Sequence, residues 1–173
     1  HFDFVCVHPY ENLGGVTKRG GEQGYLSMAG SIRRMLADNK QKADMPLWIT
    51  EIGRTTKNKP PDHKTDAQQA EALVKAYILS LAQGFSRIFW FEPKGPPIYG
   101  KDHNEAHGII RPDSSPRPGY HALKTMTGLL SLEPQYIGWL NLAGNGYGFV
   151  FQGQDGNVMA AWSPPGDGLK IKF

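Results

Sequence analysis

The chain has 173 residues, of which 39% are hydrophobic and 20% charged, with a net charge of +3 and a pI near 9.0. That is enough for one domain with a real core, or for part of a larger one, and it is globular rather than disordered. The positive bias is mild and no Lys/Arg run is long, which excludes nucleic acid or an anionic membrane as the expected partner; no apolar run reaches the roughly 18 residues of a membrane-spanning helix.

In chain order, "FDFVCV" (Phe2 to Val7) reads as a short strand covered on both faces. Cys6, the single cysteine, sits among apolar neighbours and is expected to be a small buried hydrophobe, with no disulfide in the chain. Tyr25, Met28, Ile32, Met35 and Leu36 recur at helical spacing and predict a helix from Gln23 to Asn39. "LWIT", introduced by Pro46, predicts a second buried strand. The basic stretch "KNKPPDHK" is expected to be a solvated loop.

Thr65 or Asp66 is the expected N-cap of the next helix, whose stripe is Ala70, Leu73, Val74, Tyr77, Ile78 and Leu81, with Gly84 as its stop. "RIFWF" (Arg87 to Phe91) predicts a third strand, and Leu123, Met126, Leu129 and Leu130 a third helix from Tyr120 to Leu130. Strand, helix repeated three times is the pattern of parallel βα units, too few to close an eight-stranded barrel.

From Pro134 the texture changes. "YIGWLNL", "YGFVFQ", "NVMAAWS" and "KIKF" are short strands separated by the turn signals "AGNG", "QDGN" and "PPGDG", so a β-meander is expected with its boundary between Ser131 and Gln135. Trp139 and Trp162 are expected in its core, and Tyr77, Tyr120 and the helical Met residues in the core of the βα half. Both ends of the sequence read as cut, which predicts a piece of a longer protein; no signal peptide is read.

The chemistry-bearing residues cluster at strand ends. Side chains alternate along a strand, so Phe4, Cys6, His8 and Tyr10 are expected on one face, Leu47, Ile49 and Glu51 on another strand's equivalent face, and Ile88, Trp90 and Glu92 on a third. Each series ends in its functional group at the C-terminal end of its strand, where parallel α/β folds place ligands. A carboxylate stranded there costs several kcal/mol unless donors satisfy it.

"HPY", "WITEIG", "IFWFE" and "HGIIRPDSSPRPGYHAL" together resemble the C-terminal part of a clan A glycoside hydrolase barrel, families five and thirty-nine in texture, over Phe2 to Leu130. The resemblance implies an α/β fold: the last three βα units of a (β/α)8 TIM barrel over residues 1–132, then the start of a C-terminal β-sandwich over 133–173. It implies a retaining glycosidase acting on a β-linked glycoside or polysaccharide, with Glu51 as nucleophile. Tyr10 would donate to Glu51, His8 would bind a sugar hydroxyl or tune that network, and Trp90 would floor the sugar site. Glu92 would either bind substrate hydroxyls or pair with Lys94.

In the clan, the acid/base glutamate follows an Asn on the fourth strand. The Asn104-Glu105 pair lies in the loop after the third strand and is not assigned that role, so the acid/base residue is expected on upstream chain and the isolated chain is expected to be inactive. No organic cofactor or metal is implied. Many relatives are exported, which slightly favours a secreted protein; oligomeric state is not read.

Blander readings stand beside these. Glu51 could pair with Arg54 or cap a loop, His8 and Tyr10 could be a satisfied core pair, and Trp90 could be core. His103 and His107, with Asp102 and Glu105 nearby, fit no zinc spacing and are expected to be solvated rim residues. A different functional class is a carbohydrate-binding protein that does no catalysis, either a degenerate barrel or a module built on the sandwich.

Overall fold

The computed structural model describes residues 2–57, 62–95, 105–142 and 145–164. "KIKF", His103, Asp102 and Asn104, and most of "PPGDG", lie outside them. Three strands, β1 (Val5–Val7), β2 (Leu47–Ile52) and β4 (Phe85–Trp90), form a parallel sheet in the order β1-β2-β4. Between β1 and β2 the chain forms α1 (Tyr10–Leu13), α2 (Gly21–Leu26) and α3 (Met28–Asp38); α4 (His63–Ala82) links β2 to β4, and α5 (Pro118–Leu129) follows β4. Each parallel step thus needs a helical crossover. A two-stranded clip, β3 (Thr56–Lys57) with β5 (Glu105–Ala106), ties the segment after β2 to the segment after β4.

The helix expected from Gln23 to Asn39 is two helices, broken at Ser27. The break is supported from α4: the Ala29 N–H at the start of α3 donates to Gln83 Oε1 at 3.0 Å, replacing the intrahelical partner it lacks. Tyr25 is drawn fully into the core, its hydroxyl 2.9 Å from Ser80 Oγ. The N-cap of α4 is Asp62 rather than Thr65 or Asp66; its Oδ1 accepts from the N–H groups of Lys64 and Thr65. Asp66 is instead buried, with its carboxylate receiving Arg111, Arg117 and the Thr56 hydroxyl.

Strands β6 (Leu130–Leu142), β7 (Gly146–Gly153) and β8 (Asn157–Trp162) form an antiparallel meander in sequence order. β6 begins directly at the end of α5 and runs through the expected boundary. Phe149, Phe151 and Tyr147 of β7 join the same buried cluster as Leu73 and Ile78 of α4. A buried ion pair reinforces the junction: Lys75 of α4 lies 2.9 Å from Glu22 of α2, and the Trp162 indole N–H donates to the same glutamate oxygen at 3.1 Å.

Several core expectations fail for one reason, the position of the residue at an open edge or face. Trp139 is 57% exposed because β6 is an edge strand; its ring lies parallel to Tyr147 and Phe149 on one side and meets solvent on the other. Cys6 is exposed on the free face of β1, while Met35 and Tyr120 sit on the outer faces of their helices.

Candidate active site

The expected alternation does not survive in β2, and the reason positions the site. Ile49 pairs with Ile88 and Ile52 with Trp90, so β2 contributes one more residue than β4 between those pairs, a bulge over Thr50 and Glu51. Leu47, Ile49 and Ile52 are therefore the residues buried against the helices. Trp48 and Thr50 share the opposite face with β1: Trp48 stacks on Phe4 at 4.3 Å between ring centroids, and Thr50 Oγ1 lies 3.0 Å from His8 Nε2. Glu51 joins that cluster by virtue of the extra residue, not by being in phase with Leu47 and Ile49.

Among the described residues, two groups engage the Glu51 carboxylate. The Tyr10 hydroxyl donates to Oε1 at 2.8 Å, and His8 Nδ1 lies 3.2 Å from Oε2. A carboxylate only accepts, so the tautomer that serves both of its neighbours carries the proton on Nδ1 and accepts from Thr50 at Nε2. The Glu51 side chain is 33% exposed and that of His8 51%, so the cluster is open to solvent on one side. Arg54 is engaged elsewhere, with Thr17 and Gln68, and does not neutralise Glu51. Burial, the hydrogen bond to Glu51 and the negative charges of Glu51 and Glu92 together hold the Tyr10 phenol well above the usual tyrosine range, so at neutral pH it is a donor.

Trp90 is not at this rim. It pairs with Ile52, is 8% exposed and packs in the helix-side core with Ile109. The residue after it turns the other way. Phe91 donates its N–H to Ile52 O, and its ring meets the His107 imidazole edge-on at 5.3 Å. His107 in turn contacts the Tyr10 ring at 6.4 Å, nearly perpendicular. It is half-buried between two aromatic rings, not a solvated rim residue. Glu92 is also half-buried; its Oε1 is enclosed without a hydrogen-bond partner among the described residues, and Lys94 donates to Ser114 instead of pairing with it.

Three of the five expected site residues, His8, Tyr10 and Glu51, are therefore in mutual contact. Glu92 lies within electrostatic reach of Tyr10, and Trp90 faces away. Thr50 and Phe91 were not anticipated. Thr50 shares its face with Trp48 by ordinary alternation and is missed when the functional face of β2 is taken to be that of Leu47 and Ile49; the bulge is what brings Glu51 to the same cluster.

No family model matches the sequence, and no curated protein matches it. Among solved structures, the chain resembles a family 39 glycoside hydrolase from the gut symbiont Bacteroides cellulosilyticus WH2, with a TM-score of 0.63 and 25% sequence identity. The match covers 93% of this chain but only 34% of that one, so the chain spans about a third of the length of its structural relative. The likeness supports a glycoside hydrolase relationship for a mixed α/β chain whose strand-end cluster centres on a tyrosine-bound carboxylate.

Proposed function

We propose that the chain is the C-terminal part of a retaining glycoside hydrolase of the (β/α)8 type, residues 1–132 belonging to the barrel and 133–173 opening a β-sandwich. The observation that carries this reading is the Tyr10–Glu51–His8 contact at the C-terminal end of a parallel sheet. A nucleophilic carboxylate in a partly enclosed site needs donors that hold it in place, and the Tyr10 phenol and the His8 imidazole lie at hydrogen-bond distance from its two oxygens.

In this reading Glu51 attacks the anomeric carbon and forms a glycosyl ester. The leaving oxygen takes its proton from an acid on chain upstream of His1, about 5–5.5 Å from Glu51 in a retaining geometry, and water then releases the sugar. Glu92, with an unsatisfied buried oxygen, accepts from a sugar hydroxyl. Phe91, whose ring meets His107, takes the role of the apolar wall expected of Trp90.

A 2-fluoro glycoside that accumulates as the covalent intermediate tests this in the intact protein. The expected result is a mass increment on the peptide containing Glu51. A sugar that binds without labelling any carboxylate would instead establish the second reading, a carbohydrate-binding protein without catalysis.

A further inference from the structure

One face of α4 is a continuous enclosed stripe: Asp66, Gln69, Leu73, Ala76 and Ser80, all fully buried and spaced alternately three and four apart. Leu73 and Ala76 are ordinary core, and Asp66 is matched by two arginines. Gln69 differs. Its carboxamide nitrogen donates out of the helix to two backbone carbonyls, Arg54 O at 2.9 Å and His107 O at 3.0 Å.

Those carbonyls belong to the two segments that frame the candidate site. Arg54 follows Glu51 by three residues on the exit from β2, and His107 carries the ring that packs against Tyr10 and Phe91. The exits of β2 and β4 also touch directly: a Cβ on Gly53 would lie 2.0 Å from Phe91 O, so no other residue fits there without displacing the backbone just after β4. Gln69 Oε1 faces Gly119, 3.3 Å from where a Cβ would stand, and has no hydrogen-bond partner among the described residues. The amide is thus held for its two protons, since the flipped orientation would aim an acceptor at two carbonyls.

We propose that Gln69 is a positioning residue of the site: by bridging the exit of β2 and the segment that follows β5 it sets the separation between Glu51 and the His107 ring, and so keeps the Tyr10 hydroxyl on the Glu51 carboxylate. What that alignment serves rests on the glycosidase reading; the alignment itself does not.

The test uses Gln69→Met, which keeps length and volume, beside Gln83→Met at the far end of α4, where a carboxamide also bridges two backbone groups but outside the site. Tyr10 is followed by the 19F resonance of 3-fluorotyrosine, assigned with Tyr10→Phe, and hydrolysis is measured in the intact protein. Gln69→Met should move the Tyr10 resonance and lower kcat by roughly ten- to a hundredfold, with KM changed less than about twofold. Gln83→Met should lower the melting temperature alone. If Gln69→Met does not fold, Gln69→Asn, which reaches only one carbonyl, should shift the same resonance by less.

An unmoved Tyr10 signal in the folded variant, with melting lowered as in Gln83→Met, would overturn the proposal. Wild-type protein that cleaves no glycoside would end the glycosidase reading, while the Tyr10 signal would still decide the role of Gln69.

Discussion

Two regions of this molecule hold carboxylates in opposite ways. In the helical layer, Glu22 and Asp66 are fully enclosed and each faces a cation: Lys75 for the first, Arg111 and Arg117 for the second. At the strand ends, Glu51 is one-third exposed and is held by a phenol and an imidazole. A buried carboxylate facing a fixed cation stabilises one packing arrangement, and breaking the pair leaves an uncompensated charge. A partly exposed carboxylate without a buried cation beside it contributes less to folding and keeps an oxygen face open to solvent. The first arrangement is architectural, and the second is the one the glycosidase proposal requires.

The contrast between the two carboxylate environments is widest at Glu51. Glu51→Gln in the intact protein should reduce hydrolysis by at least about a thousandfold, with little change in melting temperature, as read by steady-state rates and a thermal scan. Retained activity would remove the distinction between the two regions. Next in size is Arg117→Met, which leaves the Asp66 charge without its fully buried partner. It should destabilise by about 3–5 kcal/mol in urea titration, and the double variant with Asp66→Leu should recover much of that loss.

Tyr10→Phe removes one of the two donors from Glu51. Losing a hydrogen bond to a charged group should lower kcat by roughly ten- to a hundredfold, the rate equivalent of about 1.5–3 kcal/mol, while denaturant stability stays within about 1 kcal/mol of wild type. A stability loss larger than the rate loss would place Tyr10 with the architectural groups.

The smallest effect concerns alkaline pH. Burial pushes the Tyr25 phenol up to about 12, only partly offset by its contact with Ser80. Its folded-state value is raised, so its contribution is fully present below the ordinary tyrosine value of 10.0 and is lost as pH rises from there through about 12. Melting temperatures measured across that window should fall, and Tyr25→Phe should flatten the fall. An unchanged slope would mean that other groups carry the alkaline dependence.

Much of the architecture was legible in the residues. Apolar runs marked the three parallel strands, and the period of Leu73, Val74, Tyr77 and Ile78 marked α4. The meander followed from short strands between Gly- and Asn-containing turns. Even the clustering of His8, Tyr10 and Glu51 was accessible, because each follows an apolar run at the same end of a parallel unit. The polar members of the α4 stripe also left a trace: Asp66 and Gln69 are in phase with Leu73 and Ala76, and a polar residue on a buried stripe must have partners.

The residues alone locate the three parallel strands, α4 and the meander, and the end of the sheet that carries the ionisable groups, because hydrophobic period and turn chemistry are local; the break at Ser27 and the start of β6 at Leu130 are not legible there. Tertiary structure alone decided which way the strand-end side chains point. The bulge that turns Glu51 toward Tyr10, the burial of Trp90 against Ile109, and the two carbonyls that capture Gln69 all depend on register between segments far apart in the chain. Register is set by packing, and a single extra residue in one strand reverses the face of everything beyond it.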